Sequence, residues 1–421
     1  MKKTLSCLVV MSLFAAGSAF ASGYRIPEQS VDAVSKAGAN IASASSADAA
    51  YYNPAGAALL RDGWLTNINF NYIHLTKVKY TDNRSPLYNA ESRNENFLLP
   101  TIFVLSPKFN PGIGNFRAGF SITAPYGLAK RWDDPFPKTF AEKFSVQVFD
   151  INPTLSYEII PDKLAIAGGW RVLYAKATVM SNGTVDRATG ITASRYMDGD
   201  TTEWGGWNVG LDWKPTKESN LAATYRSHVD LDYDGHAILN TNYPPGNPTN
   251  HVTTSGNVTV PAPAVLAISG SYTFFDKFTV ELTWDRTFWS KFDNLDFQYD
   301  KTIYNPVLHQ AFNTPVNKDW DDSSAYRLGL KYAVNHQWTL MAGIAYDESP
   351  APDETLGFEL PDANAVLVSL GARYAITDNM EVGLGLLYDK KDTRSVRNDT
   401  INGTFTNEAA LLVSAGFQYR F

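Results

Sequence analysis

Apolar and polar residues alternate along most of this chain with the period of a β-strand. Residues 411–421 show the pattern clearly, because one face is apolar and the other is mostly small or polar. A strand with two such faces suits a wall between oil and water. The apolar face of this segment carries Leu411, Val413, Ala415, Phe417, Tyr419 and the terminal Phe421.

Similar segments recur from Trp64 to the end of the chain, and the connections between them alternate between long and short. Seven long and six short connections join fourteen strands, so both ends of the series lie on the short-turn side. Short periplasmic turns and long outer loops are typical of an outer-membrane barrel. We therefore predict an all-β, 14-stranded antiparallel transmembrane β-barrel over residues 64–421. The long loops are predicted near 81–96, 132–142, 182–203, 233–257, 293–320, 349–362 and 390–403, and the short turns near 107–114, 161–162, 215–220, 275–276, 335–336 and 377–379.

Aromatic residues near the strand ends are expected at the two membrane interfaces, where amphipathic rings are favoured. Packing in a core is the alternative for any single one of them. The tryptophans assigned to these positions are Trp64, Trp132, Trp204, Trp213, Trp289, Trp320 and Trp338.

The strand face opposite the apolar stripe holds ionisable residues and should line the lumen. A charge facing lipid costs about 2 to 4 kcal/mol at the bilayer midplane, which favours this register. One interpretation is a mixed-sign network that holds the wall rigid. The alternative is that Arg226, Arg327 or Lys331 binds the carboxylate of a ligand. The lumenal set is Arg171, Arg226, His228, Asp230, Glu281, Asp285, Arg327, Lys331, Arg373 and Glu381.

The amino terminus has the pattern of a signal peptide over residues 1–21. Two lysines precede an apolar run, and Ala19-Phe20-Ala21 resembles a cleavage site. The only cysteine, Cys7, lies within it, so the mature chain cannot rely on disulfides. No other stretch approaches the roughly 18 to 20 apolar residues of a membrane helix. The net charge of -7 and the absence of a basic patch argue against nucleic-acid binding.

Residues 22–63 differ from the rest, because alanine, serine, glycine and aspartate replace the strand pattern. A barrel of 14 strands should enclose real space, since barrels of 16 to 18 strands leave an aqueous channel. We expect this partly helical segment to fold into the lumen as a hatch, or plug. A periplasmic tail or linker is the alternative.

Several motifs resemble the long-chain fatty acid transporter family, the FadL-like proteins that also include toluene-type hydrocarbon channels. The resemblance covers nearly the whole mature chain. The matching stretches are Ser22-Gly23-Tyr24-Arg25-Ile26-Pro27-Glu28-Gln29-Ser30, Ala50-Tyr51-Tyr52-Asn53-Pro54-Ala55-Gly56, Ala124-Pro125-Tyr126-Gly127-Leu128-Ala129, Tyr225-Arg226-Ser227, Ser349-Pro350, Leu360-Pro361-Asp362 and Tyr419-Arg420-Phe421.

This resemblance implies a hatch, a kinked third strand that opens a lateral gap, and passage of a hydrophobic ligand sideways into the membrane. The residues support a kink independently, because Pro125 and Gly127 interrupt the third alternating segment around Tyr126. Proline cannot donate a ladder hydrogen bond, and glycine weakens a strand. The alternative is an ordinary strand end near the outer loops.

Roles for single residues follow from the resemblance alone. It implies that the turn of Asn53, Pro54 and Ala55 braces the kink, and that the mature amino terminus, Ser22, Gly23 and Tyr24, touches bound ligand. Tyr24 stands where family members often have phenylalanine. The family's basic head-group residues do not align securely here, so Arg226, Arg327 and Lys331 are candidates from lumenal register only.

We therefore expect a passive outer-membrane channel for hydrophobic compounds, such as fatty acids or hydrocarbons, with no cofactor. A general porin for small polar solutes and a surface adhesin or receptor are the alternatives. An enzyme is disfavoured, because the chain has no Gly-x-Ser-x-Gly or His-Glu-x-x-His motif. The expected partners are outer-membrane lipid and lipopolysaccharide, the barrel assembly machinery through Phe421, and no nucleic acid. The family implies a monomer.

Overall fold

Fourteen antiparallel strands form one continuous wall in the computed structural model, which describes residues 18–19 and 23–421. The predicted signal peptide and Ser22 lie outside the described residues, apart from the two-residue strand Ser18–Ala19. The wall strands are β1 Leu65–Leu75, β2 Glu95–Leu105, β3 Phe116–Arg131, β4 Lys143–Ile160, β5 Leu164–Asp186, β6 Ile191–Trp213, β7 Ser219–Arg226 and Val229–Thr241, β8 His251–Ala262 and Ala264–Phe274, β9 Phe278–Phe288, β10 Ser323–Ala333, β11 Trp338–Asp347, β12 Ala365–Thr377, β13 Met380–Lys391 and β14 Ala409–Arg420.

The last strand pairs with the first, which closes the barrel. The register between β1 and β14 runs from Leu65 opposite Arg420 to Leu75 opposite Ala410. Closure removes the two terminal edges of the sheet, so the backbone groups of the first and last strands are satisfied inside lipid. The predicted strand number and antiparallel barrel are confirmed.

The predicted alternation of faces is also present in the wall. In β1 the side chains of Asn67, Asn69 and Asn71 are buried inside, whereas Ile68 and Phe70 are exposed on the outer face. The sequence pattern therefore sets which face meets lipid.

Two of the predicted long loops are largely strands. The pairing of β5 with β6 continues to Asp186 opposite Ile191, and that of β6 with β7 continues to Thr241 opposite Ala193. The predicted loops 182–203 and 233–257 are therefore wrong in extent. Beyond the bilayer neither face of a strand has to be apolar, so the ladder persists where the alternation is lost.

The helices are short, and several begin at residues that cap them. The Ser30 hydroxyl accepts a hydrogen bond from the Ala33 N–H, and the Asn53 side chain accepts one from Gly56 N–H with Pro54 at the first helical position. The helices are α1 Val31–Ser35, α2 Ala49–Tyr52, α3 Pro54–Ala58, α4 Pro135–Ala141 and α5 Pro306–Phe312, with 3-10 turns at Pro86–Tyr88, Pro248–Asn250 and Trp289–Lys291. Among the described residues, no helix combines the length and hydropathy required to cross a bilayer.

Residues 23–63 pack against the inward faces of strands on opposite sides of the barrel. Helix α1 contacts β12, β13 and β14, whereas α3 contacts β4, β5 and β6. Inward-facing glycines leave room for α1, since a Cβ at Gly371 would lie 1.8 Å from the Ser35 hydroxyl. Nearly every residue from 27 to 58 is buried, so the segment spans the lumen.

The long connections lie at one end of the barrel, and there they fold over its opening. We call this the outer lid, and it includes a four-stranded sheet of Lys79–Asp82, Ala90–Glu91, Arg394–Arg397 and Asn402–Thr406. Helix α4 packs beside it through Phe136, whose ring lies 5.6 Å from that of the buried Phe358. The remaining short strands are Asn294–Leu295, Gln298–Tyr299 and Val316–Asn317.

Three of the predicted interface tryptophans are buried by segments that fold over the lumen. Trp132 and Trp289 have no exposed surface, and Trp320 is 6% exposed. For these three the interface prediction is wrong, and core packing applies. Trp64, Trp204, Trp213 and Trp338 are exposed, as expected for residues on the outer face.

The lid should weaken in strong acid because of Asp82. Burial raises the pKa of its carboxyl, but hydrogen bonds from Arg84 and the Tyr80 hydroxyl outweigh this and lower it to about 2. The Asp82 carboxylate therefore stabilises the folded lid fully at a pH above its ordinary pKa of 3.8. This stabilisation is lost as the pH falls towards about 2. Hydrogen exchange in 79–82 and 402–406 should show this loss, and Asp82→Asn should remove the pH dependence. Equal pH dependence in Asp82→Asn would contradict the assignment.

Candidate functional site

The third wall strand carries an irregularity at Pro125. Against β4, the register shifts between Thr123 and Tyr126, so β3 holds one extra residue there. An extra residue bends a strand and disrupts its ladder. Proline at this point has no N–H to leave unpaired.

A gap in the wall lies beside this bulge. Strands β2 and β3 pair only from Ile102 opposite Ile122 to Leu105 opposite Gly119. The chain just before β2 meets β3 again where Arg93 N–H donates to Arg131 O at 2.8 Å. Between these points, residues 96–101 and 123–130 form no ladder with each other within the described part of the chain. We call this gap the lateral window.

The amino-terminal segment occupies the free edge of β3 from inside. Gly127 N–H donates to Tyr24 O at 2.8 Å, and Ile26 N–H donates to Pro125 O at 2.7 Å. The Gln29 side chain holds the bulge from below: its Oε1 accepts from Ala124 N–H at 2.8 Å and its Nε2 donates to Ala124 O at 3.0 Å. Gln29 lies within one of the matching motifs, but the sequence alone indicated no role for it.

A cavity of about 350 Å³ lies behind the window. Its lining includes inward-facing side chains and also Leu98 and Phe149, which belong to the outer face of the wall, so the cavity reaches the lipid side. Concave sites that are mostly apolar with a few polar groups are typical of small-molecule binding. The apolar lining is Tyr24, Ile26, Ile73, Leu75, Phe97, Leu98, Leu99, Tyr126, Leu128, Val146, Val148, Phe149, Leu360 and Leu412.

Tyr24 lies in an aromatic cluster at the cavity wall. Its ring centroid is 4.6 Å from Trp289, 5.8 Å from Trp320 and 6.4 Å from Tyr126, and its hydroxyl donates to Pro261 O. Gly23 has a φ of +58°, and a Cβ there would lie 2.6 Å from Trp320. Gly23 and Tyr24 line the cavity, while Ser22 lies outside the described residues.

One end of the cavity is charged. Lys391 Nζ lies 2.8 Å from an Asp362 oxygen and 2.9 Å from a Glu408 oxygen. Lys130 Nζ has a longer contact, at 3.8 Å from Glu408. Burial raises the pKa of the Asp362 carboxyl, although Lys391 beside it opposes the change. The Lys130 ammonium is thus the more weakly paired cation in contact with the cavity.

Sequence reasoning missed both lysines. Lys391 fell in the predicted loop 390–403, but β13 extends to it, and the inward series Asp389, Lys391 continues the two-residue period. Lys130 lies beyond the bulge, where the alternation of β3 changes phase.

The predicted head-group candidates lie elsewhere. Arg327 has no exposed side-chain surface and contacts Asp285 at 2.8 Å, Asp347 at 3.1 Å and Glu28 at 3.4 Å. Lys331 Nζ donates to the Ser45 hydroxyl at 2.8 Å. These contacts tie the wall to residues 23–63, as in the mixed-sign network interpretation.

Arg226 lies next to the same amino-terminal segment. Its guanidinium is 3.8 Å from the centroid of the Tyr51 ring and 3.6 Å from an Asp150 oxygen. It borders a separate small cavity of about 40 Å³ together with Pro125 and Tyr126. The 350 Å³ cavity is lined by none of Arg226, Arg327 and Lys331.

The Asn53-Pro54-Ala55 turn packs against β6. The Asn53 amide donates to Asp212 and to Ile41 O, the latter at 3.1 Å. A Cβ at Gly210 would lie 3.4 Å from Ala55. The contacts of this turn therefore reach β6, and the hydrogen bonds at the bulge itself come from Ile26 and Gln29.

Ser227, His228 and Asp230 do not form a catalytic triad. The His228 ring bonds Asp230 at 2.7 Å, while the Ser227 hydroxyl accepts from Trp207 N–H at 2.9 Å. In residues 23–421 no group of three or more His, Cys, Asp or Glu is arranged to hold a metal ion.

The chain matches one protein family along almost its whole length. The sequence model described as "Outer membrane protein transport protein (OMPP1/FadL/TodX)" matches residues 12–421. A long-chain fatty acid transport protein of Escherichia coli O6:H1 is 27% identical over 373 residues, which cover 79% of this chain and 80% of the relative. Outer membrane protein P1 of Haemophilus influenzae is 25% identical over 472 residues, which cover 99% of each chain.

Solved structures show the same fold. A FadL homologue from Pseudomonas aeruginosa superposes with a TM-score of 0.82 at 20% identity, over 95% of this chain and 100% of that chain. The toluene transporter TodX from Pseudomonas putida gives a TM-score of 0.70 at 14% identity, again over 95% of this chain and 100% of that one.

Proposed function

The chain belongs to the OMPP1/FadL/TodX family of outer-membrane transport proteins, and from this premise we propose that it is a passive channel for long-chain fatty acids and related hydrocarbons. Ligand enters beneath the outer lid, binds in the 350 Å³ cavity and leaves through the lateral window. The observation that carries the proposal is that this mainly apolar cavity has lining residues from both faces of the wall. The protein itself is a barrel of the outer membrane.

Lateral release follows from the chemistry of the ligand. A hydrocarbon chain that crossed the polar lumen into periplasmic water would lose about 25 cal/mol for each Å² of apolar surface exposed again. Through the window it passes from Leu99 and Val148 to Leu98 and Phe149 and stays in apolar surroundings. The window is therefore the route of lower free energy.

Residues 22–63 act in this proposal as a hatch that excludes polar solutes. The support is the burial of the segment and its ion pairs with the wall, such as Lys36 with Glu281. Its first residues, 23–26, also act as the gate. Two backbone hydrogen bonds hold them to β3, and each contributes about 0.5 to 1.5 kcal/mol net. The packing of Tyr24 against Trp289 and Trp320 holds them as well, so bound ligand must offset both for release.

Transport assays in cells that lack their own channel of this class test the function. Expression of the chain should raise the uptake of oleate and of toluene but not of glucose. In planar bilayers the protein should give little steady current. Glucose uptake, or a large and steady conductance, would support the porin alternative and contradict the proposal.

Lys130 is proposed to bind the carboxylate of a fatty acid in the cavity. Its ammonium has one weak partner, and hydrogen bonds between charged groups contribute about 1.5 to 3 kcal/mol. Lys130→Met should therefore weaken binding of a fluorescent fatty acid by on the order of tenfold or more. Uptake of toluene, which has no charged group, should not change.

The matched control is Lys138→Met in α4, because Lys138 pairs with Glu142 at 3.1 Å in the lid and does not line the cavity. It should bind the fatty acid normally. If Lys130→Met also binds normally, or if both variants lose affinity equally, Lys130 is not the head-group residue.

A further inference from the structure

Three polar side chains form a cluster on the lipid-facing side of the wall at the outer end of β1 and β2. The Tyr72 hydroxyl donates to Asn96 Oδ1 at 2.7 Å, and His74 Nδ1 lies 2.8 Å from the same oxygen. Next to the cluster this face of the two strands is apolar, with Phe70 and Leu98 exposed. We call Tyr72, His74 and Asn96 the rim cluster.

The rim cluster lies at the upper edge of the lateral window. Asn96 pairs with His74 across the β1–β2 ladder, and it lies in the stretch 96–101 of β2 that forms no ladder with β3. Asn96 also lines the 350 Å³ cavity, together with Lys130. One side chain is thus in contact with both the cavity and the outer face.

The hydrogen bonds of the cluster leave donors available. Asn96 Oδ1 faces both the Tyr72 hydroxyl and the His74 ring, so its Nδ2 points away from them. Within residues 23–421, Asn96 Nδ2 has no hydrogen-bond partner.

We propose that the rim cluster is an exit site that binds the carboxylate of a fatty acid while it leaves through the window. The inference rests on the proposed function and deepens it, because it defines a second site for the same ligand. The Asn96 N–H groups receive the carboxylate after it leaves Lys130, at the level where the outer leaflet meets water.

The position of the cluster fits an amphiphile in a leaflet. The polar groups lie at the outer end of the window, since β1 ends at Leu75, and apolar Leu98 and Pro100 follow towards the bilayer centre. A fatty acid leaving with its carboxylate at Asn96 therefore already has its chain directed into the hydrocarbon. A neutral hydrocarbon has no group for this site and passes without using it.

Asn96→Asp is the informative variant. It keeps an acceptor for Tyr72 and His74, so the cluster remains, but it removes the N–H donors and adds a charge that repels a carboxylate. Gln337→Leu is a control on the opposite, periplasmic rim, where the exposed Gln337 amide lies 3.4 Å from the Tyr374 hydroxyl.

The experiment uses the full mature protein in phospholipid vesicles, loaded with cis-parinaric acid and mixed with acceptor vesicles. Asn96→Asp should slow transfer of the fatty acid by about tenfold. The transfer of toluene, which carries no carboxylate, should stay within about twofold of the unmodified protein. Asn96→Leu should slow fatty acid transfer as well, and Gln337→Leu should not.

Transfer of cis-parinaric acid at the normal rate by Asn96→Asp would overturn the exit site. Equal slowing of toluene would also overturn it, because the effect would then come from the shape of the window. If the unmodified protein delivers neither probe to acceptor vesicles, the channel function fails, and the exit site fails with it.

Discussion

Deletion of Pro125 should reduce uptake of both oleate and toluene to the background of cells without the channel. The bulge gives β3 one residue more than β4 needs between Thr123 and Tyr126. Without it, β3 can continue the ladder that now stops at Ile122, and the window closes. The cavity would then have no apolar exit, since residues 23–63 fill the lumen below it.

Pro125→Ala separates the bulge from the chemistry of proline. This variant keeps the extra residue and only returns an N–H, so it should retain most uptake. Heat-modifiable mobility on gels checks that each variant is a folded barrel. A folded deletion variant that still takes up either compound at the normal rate would contradict release through the window.

Arg327→Met should destabilise the folded barrel by about 3 to 5 kcal/mol, the range for breaking a buried ion pair. The guanidinium has no exposed surface, and it lies between Asp285 of β9 and Asp347 of β11 while also reaching Glu28 of the amino-terminal segment. Without Arg327, the carboxylates of Asp285, Asp347 and Glu28 stay buried with fewer cations around them. The cation that remains beside Asp285 is Arg25, at 3.4 Å. Urea unfolding followed by tryptophan fluorescence measures the change.

Arg286→Met is the matched control from the neighbouring position of β9. Arg286 is 34% exposed, and its pair with Asp322 spans 3.8 Å. Pairs of this kind contribute about 0 to 1 kcal/mol. Equal destabilisation by the two substitutions would show that Arg327 stabilises through packing of its side chain and not through its charge.

Much of the wall could be predicted, because the alternation of its two faces depends only on residues that are neighbours in the sequence. In β1, Asn67, Ile68, Asn69 and Phe70 alternate between lumen and lipid, and the same two surroundings act on every strand. The pattern fails where those surroundings end: 182–203 continues as a hairpin in water, and Trp289 is buried by a segment that folds over the lumen.

The sequence by itself determined the strand number, the direction of the apolar face and the position of the interruption at Pro125, because each follows from neighbouring residues that meet lipid or lumen. Only the tertiary structure decided the window, the partnership of Tyr24 with Gly127, and the meeting of Lys130 with Glu408. These groups are far apart in the chain, and closure of the barrel brings them together. No local pattern of hydrophobicity indicates which distant residues come into contact when the barrel closes.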